Sequence, residues 1–239
     1  MKFTQFLRVA WIGATDEGEQ ISATLAGKHV TALSSVAGVG RTSVYRLVPL
    51  DALHQQLRNN LRLIEAGRSL PQPQVLVFSE FESMRAAVDA EDEIRALPLE
   101  RGDDAAMVVG RAVLLEVASA PGIHASEFDD FAPAVQVGLF NMDSAETERD
   151  LSYWYEYYRF VPFKSLEGGV RARRFLTVWG PAKFCVIYEF NSRQAHSQNF
   201  IAEPELKAHD KSHVTGKVIP HTIHHELLSQ SVGVKLPLA

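Results

Sequence analysis

Residues 16–48 and 146–178 carry one pattern at a constant offset of 130 positions, with no gap. Ile21 falls on Leu151, Leu33 on Phe163, Val36 on Leu166, Gly38 on Gly168, Arg41 on Arg171, Tyr45 on Phe175 and Val48 on Val178. After a length difference the match resumes, with Phe78-Ser79-Glu80-Phe81 on Ile187-Tyr188-Glu189-Phe190 and Ser83 on Ser192. A repeat of this length means the chain builds one supersecondary unit twice, and the fold must be read from that unit.

The unit alternates two periodicities. In the first copy Leu7, Val9 and Trp11 share one face of a strand over Phe6 to Ala14. Asp16 offers a cap, and Ile21, Leu25, His29, Leu33 and Val36 recur at helical spacing until Gly38-Val39-Gly40 stops the helix. Strands follow at Arg41 to Val48 and Val75 to Phe81, then a helix over Met84 to Leu97 and a strand over Met107 to Val117. Residues from about 50 to 74 (Leu53, Leu57, Leu61 and Ile64 at helical spacing, ended by Gly67, Pro71 and Pro73) form a helical insertion that the second copy lacks. The second copy predicts strands at Val135 to Phe140, Arg171 to Trp179, Phe184 to Phe190 and Val218 to Ser229. Its helices fall at Ser144 to Val161, where Pro162 ends or kinks the first, and at Arg193 to His213.

The expected fold class is therefore α+β, with two ferredoxin-like βαββαβ units at 1–119 and 133–239 and a linker at 120–132 rich in Pro, Gly and acidic residues. Each antiparallel sheet carries helices on one face only. The two bare faces are expected to pack sheet to sheet as an intramolecular α/β barrel, giving a pseudo-dimeric monomer or a homodimer.

With 24 basic and 29 acidic residues the formal charge is −5, and no long basic run provides a nucleic-acid footprint. Arg171-Ala172-Arg173-Arg174 is split between two faces by strand alternation. No apolar run reaches membrane-spanning length, and the N-terminus lacks a signal-peptide core. One cysteine, Cys185, excludes an intramolecular disulfide, so the expected location is the cytoplasm.

Trp154-Tyr155-Glu156, Gly168-Gly169-Val170-Arg171-Ala172-Arg173-Arg174-Phe175 and Tyr188-Glu189-Phe190 together resemble the "WYxxxH…PGxxRxRRY…YEF" pattern of EthD-like proteins in the dimeric α/β-barrel superfamily. Glu203-Pro204-Glu205 and Asp210 to Val218 resemble that family's closing helix. The resemblance covers the second copy and, more weakly, the first. Its histidine, five residues after the tryptophan, is Arg159 in the second copy, whereas His29 holds that column in the first. The resemblance implies small-molecule chemistry in a pocket between sheet and helices.

His29 lies on an apolar stripe, so it reads either as a hydrogen-bonded core histidine or as a proton-transfer group near neutrality. Tyr45 is either a core aromatic, like Phe175, or a phenol steadying an enolate. Trp11, Trp179, Tyr155, Arg173, His221 and His225 complete the expected substrate-binding set. Leu151, Trp154, Tyr155 and Tyr158 form a stripe that packing alone explains, with Tyr153 and Tyr157 pointing elsewhere. Glu80 and Glu189 stand at equivalent strand positions and are expected to pair with arginines such as Arg46 or Arg173. His209 and His213, with His221 and His225, have ligand-like spacing, but no H-E-x-x-H pattern forms and His224 faces the other way; no metal centre is assigned. Gly38-Val39-Gly40 precedes a strand and is no nucleotide fingerprint, so no cofactor is expected.

Three readings follow. The first is a cofactor-independent isomerase, cyclase or decarboxylase acting on an apolar or aromatic metabolite, with His29 as acid/base and Tyr45 as oxyanion donor. The second is a non-catalytic small-molecule binding or accessory protein. The third is a haem-binding or oxygen-using barrel relative, with the C-terminal histidines as ligands.

Overall fold

The computed structural model describes residues 5–15, 21–64, 70–102, 106–201 and 215–237. Eight strands close an antiparallel barrel: β1 (Phe6–Ala14), β2 (Val39–Leu47), β4 (Pro73–Phe81), β5 (Ala106–Pro121), β6 (Ala134–Met142), β7 (Gly169–Trp179), β8 (Phe184–Phe190) and β10 (Ser231–Lys235). The order is β5-β1-β4-β2 in the first half and β10-β6-β8-β7 in the second. The sheets meet edge to edge as well as face to face. β5 pairs with β7 from Val113 opposite Trp179 to Pro121 opposite Arg171, and β10 pairs with β2 through Gly233, Val234 and Lys235. Closure removes the open edges that two separate four-stranded sheets would present.

Alternation then sorts the side chains. Inward-facing Leu7, Val9, Trp11, Tyr45, Phe78, Val135, Val137, Phe175, Cys185 and Ile187 make one shared core inside the barrel. Outward-facing residues make two further cores. One lies under α1 (Ala23–Ser34) and α3 (Met84–Arg95); the other lies under α5 (Ala145–Trp154) and its continuation through a π-helical turn, Tyr155–Arg159, to Phe160–Phe163. The helices start where short polar side chains accept from the first turn: Ser22 from Leu25 N, Ser83 from Ala86 N, and Ser144 in a capping box with Thr147. The matched Gly38 and Gly168 both adopt left-handed backbone, φ 83° and 79°, at the turn into the second strand of each half. A Cβ at Gly38 would lie 3.0 Å from Ala86 Cβ, and one at Gly168 would collide with Ala195.

Several boundaries differ from expectation. The predicted cap Asp16 lies outside the described residues, and α1 begins at Ser22. Strand β5 runs on to Pro121, because its last residues are taken up in pairing with β7. Among its described residues the insertion is helical over α2 (Ala52–Asn59); Arg62–Ile64 is instead a strand, β3, pairing in parallel with β9 (Thr222–His225). The expected final strand, Val218 to Ser229, is a helical turn over Thr215–Val218 and Ile219–His221 followed by the short β9. The barrel-closing strand comes later, after a turn in which Gln230 has φ 61°. Pro162 sits in the last helical turn after the π-turn has already relaxed the ladder. The predicted helix at Arg193 to His213 is described only to Phe200. His209, His213, Glu203-Pro204-Glu205 and Asp210 lie outside the described residues.

Candidate functional site

Each half carries one buried polar residue on the outer face of its first strand, beneath the helices. In the first half it is Arg8, paired in register with Ser79; in the second it is Gln136, paired with Tyr188. Ser79 and Tyr188 both precede the matched glutamates, so Arg8 and Gln136 occupy corresponding places. By the same correspondence His29 answers to Arg159 and Glu91 to Phe200.

In the first half this place is filled. Arg8, 1% exposed, donates through Nη2 to Glu100 Oε2 at 2.9 Å and through Nε to Glu91 Oε2 at 3.3 Å. Arg111 Nη1 lies 3.5 Å from both carboxylates, and Arg95 Nε donates to Glu91 Oε1 at 2.8 Å. His29 Nε2 stands 3.7 Å from Glu100 Oε1, too far for a hydrogen bond. Burial pushes its imidazole down to about 4, with Glu100 opposing and Arg8 assisting, so His29 is neutral at pH 7.

In the second half a cleft of about 670 Å³ opens at the same place. Gln136 and Phe200 lie deep in it, and Arg159, Thr215, Gly216, Ile219 and Gln230 line it together with His54, Leu57 and Leu61 of the insertion. The insertion helix α2, contributed by the first half, is thus one wall. It is held by Arg58 Nη2 to the Glu226 carbonyl at 2.5 Å, His54 Nε2 to Gln230 Oε1 at 2.6 Å, and an Arg193 to Asp51 pair at 3.6 Å.

The polar groups of the cleft are oriented by their partners. Arg193 Nη1, which can only donate, lies 2.7 Å from His196 Nδ1; that nitrogen accepts, and Nε2–H donates to Gln136 Oε1 at 2.6 Å. Gln136 therefore keeps its amide NH2 as the donor end. Burial, with help from His54 and Arg193, lowers the His196 pKa to about 3. His54 is likewise lowered, burial being the main cause, and with Nε2–H given to Gln230 its Nδ1 is a buried acceptor with no partner. Arg159 is half-buried; its guanidinium lies 5.0 Å over the Phe200 ring and 5.8 Å over that of Tyr188, whose hydroxyl accepts from Nε at 3.3 Å.

None of the eight residues singled out in the sequence lines this cleft. His29 belongs to the ionic cluster of the first half. Tyr45 is inside the barrel, its hydroxyl donating to the Ala132 carbonyl at 2.9 Å, and burial raises its pKa well above the usual phenol range. Trp11 is also inside, donating to Ser231 Oγ at 3.1 Å. Arg173 pairs there with Glu116 at 2.7 Å. Trp179 packs at the barrel seam against the first half's outer core, and Tyr155 lies in that of the second, edge-on to Trp154. His221 meets Asp143 at 2.9 Å on the surface, and His225 sits half-buried on β9. Glu80 and Glu189 pair with the matched Arg41 and Arg171 at 2.8 and 2.9 Å, not with Arg46 or Arg173. Arg46 instead donates to the Ile21 carbonyl at 3.1 Å. Among the described residues no group of three or more His, Cys, Asp or Glu side chains is placed to hold a metal ion, and no helix is long and apolar enough to cross a membrane.

No family model matches the chain, and no curated protein does. Solved structures do. An anthrone oxidase-like protein superposes with TM-score 0.57 at 11% identity, over 98% of this chain and 92% of its own. A mutant chlorite dismutase from Candidatus Nitrospira defluvii in complex with cyanide gives 0.56 at 9%, over 98% and 91%. A protein assigned as a monooxygenase from Fusobacterium nucleatum gives 0.55 at 10%, over 99% and 94%. These likenesses establish the fold as one of dimeric α/β-barrel type.

Proposed function

We propose that the chain is a small-molecule protein whose working site is the cleft of the second half, taking an apolar ligand of roughly two fused rings or similar bulk. One observation carries this: among the described residues, the place under the first half's helices is taken up by ion pairs, while the corresponding place in the second borders a cleft that is apolar at its rim and polar at its floor. A concave, mostly apolar site with a few oriented polar groups is what ligand pockets share. The matched strand orders support a tandem duplication from an EthD-like ancestor, with one copy retaining the site.

Gly216 provides the test, because a Cβ there meets nothing within 4 Å and the residue lines the cleft. The neutral fluorophore N-phenyl-1-naphthylamine is expected to bind the wild type with enhanced emission. Gly216→Trp fills the mouth and is expected to abolish that signal at unchanged thermal stability. Equal binding by the variant removes the cleft as the site.

A second reading, cofactor-independent proton transfer of the isomerase, cyclase or decarboxylase kind, is favoured by the neutral His54 with its unpartnered Nδ1. The base is then His54, since His29 and Tyr45 lie outside the cleft. Deuterium exchange into an enolisable ketone such as 2-tetralone, followed by NMR, is expected to be accelerated by the wild type and not by His54→Ala. No acceleration leaves the binding reading alone.

No haem ligand is assigned among the described residues; His209 and His213 lie outside them. His54 is the cleft's histidine among those described, and its Nε2 is given to Gln230. Both nitrogens of His196 are engaged, and Arg159 stands in the column where the resemblance expects histidine. His221, His224 and His225 lie away from the cleft.

A further inference from the structure

Resting on the cleft as the ligand site, we infer that it selects a neutral ligand by a carbonyl oxygen, that of a ketone, ester or lactone, held by the side-chain amide NH2 groups of Gln136 and Gln230. The two glutamines stand on different elements, β6 and the turn before β10, yet each is set by a histidine in the same way. His196 Nε2–H donates to Gln136 Oε1 at 2.6 Å, and His54 Nε2–H donates to Gln230 Oε1 at 2.6 Å. The two imidazoles are themselves neighbours, their ring centroids 5.4 Å apart. Both glutamines line the cleft, and neither amide nitrogen has a hydrogen-bond partner among the described residues. With both carbonyl ends taken, what these two side chains offer a ligand is a pair of donors.

The chain holds that polarity in place. Arg193 can only donate to His196 Nδ1, at 2.7 Å, so Nε2 carries the proton, and turning Gln136 over would set its NH2 against that N–H. Gln136 is itself only 6% exposed, and a buried donor left unpaired carries a desolvation cost that an acceptor on the ligand removes. Gln230 is placed at the expense of its backbone. It is the non-glycine residue with positive φ among those described, at 61°, held between two neighbours tied into the barrel: Ser229 Oγ accepts from Leu139 N at 3.0 Å, and Ser231 Oγ accepts from Trp11 Nε1 at 3.1 Å. A glycine would relieve that strain and lose the contact with His54; strained backbone of this kind gathers where ligands are bound. Burial keeps both histidines neutral, and Arg193 behind them is paired with Asp51 at 3.6 Å. The relays therefore bring no charge to the two donors, which suits a neutral oxygen.

The experiment displaces N-phenyl-1-naphthylamine with 2-decalone or with 2-methylenedecalin, in which CH2 replaces the carbonyl oxygen on the same fused rings. An indifferent apolar cleft would favour the methylene compound, which water solvates less. The ketone is instead expected to compete at an equal or lower concentration, because the methylene compound buries both NH2 groups unpaired. Gln230→Gly, which takes the left-handed backbone without strain, and Gln136→Met should each shift the ratio towards the methylene compound by about three- to tenfold. Should Gln136→Met fold poorly, Gln230→Gly carries the test alone. A wild-type ratio that follows the partition of the two compounds between water and octanol, or one that neither variant moves, overturns the carbonyl inference; with both compounds blocked by Gly216→Trp, the cleft reading stands. Competition that Gly216→Trp does not touch, or no binding at all, overturns both.

Discussion

The two halves share a strand order and a place under their helices where a polar strand residue is buried, yet they use that place in opposite ways. In the first, Arg8, Glu91, Glu100 and Arg111 draw together into one largely buried ionic cluster. In the second, Gln136 and Arg159 face an open cleft. The same scaffold position holds an ionic cluster in one copy and borders a cleft in the other. Burying charge is tolerable in the first only because the charges meet; removing one partner strands the others.

The comparison breaks most sharply at Arg8. Arg8→Ala leaves Glu100 buried without its nearest cation and is expected to cost about 3–5 kcal/mol in urea unfolding, while probe affinity at the cleft stays as in the wild type. A loss of cleft binding at equal stability would join the halves functionally and sink the separation.

Next in size is a pH effect. His29 titrates near its ordinary 6.5 when unfolded and at about 4 when folded. The unfolded chain therefore binds the extra proton, and stability present above pH 6.5 is lost as pH falls towards 4, at about 1.4 kcal/mol per pH unit for one such group. His29→Gln should flatten the unfolding free energy between pH 6.5 and 4.5 by about 2–3 kcal/mol relative to the wild type. Parallel curves for the two proteins would mean that His29 is solvated.

In the second half the matching change is gentler. Gln136→Ala leaves the buried His196 Nε2–H without its acceptor and is expected to cost about 1–3 kcal/mol, together with weaker probe binding at the cleft. The smallest effect is expected from Arg8→Met with Glu91→Leu, Glu100→Leu and Arg111→Met. Replacing the cluster as a whole by apolar residues should be neutral or stabilising by about 1 kcal/mol or more, because the desolvation of the ions is removed with them. A large destabilisation would show that the cluster positions α3 and not merely fills space.

Much of the fold was legible because strand alternation and matched glycines are local signals. Alternation, with the Gly38 and Gly168 turns and the Phe78 to Phe81 match, placed seven of the eight barrel strands. The last strand was misplaced because the chain from Thr215 to Gln230 is apolar enough to read as a strand, whereas Ile219-Pro220 and the left-handed Gln230 break it into turns. The site was less legible. The sequence put His29 and Arg159 in one column, which is the correspondence the cleft turns on, but the weight fell on the histidine because its chemistry is the more familiar. His54, Gln136 and Gln230 carried no spacing signal, since their roles depend on contacts 60 and 176 residues away in the chain. Tyr45 and Trp11, expected at a pocket between sheet and helices, lie in the filled core inside the barrel.

Helix α2 has a consequence for ancestry and engineering alike. A wall of the second copy's cleft is inherited from the first, so residues 134–237 expressed alone would present a binding floor with one side missing. Selection on ligand preference thus acts on the insertion as much as on the copy that houses the ligand. Exchanging Ala52–Asn59 for another short helix is the economical way to retune what enters, since it leaves the barrel's ladders untouched.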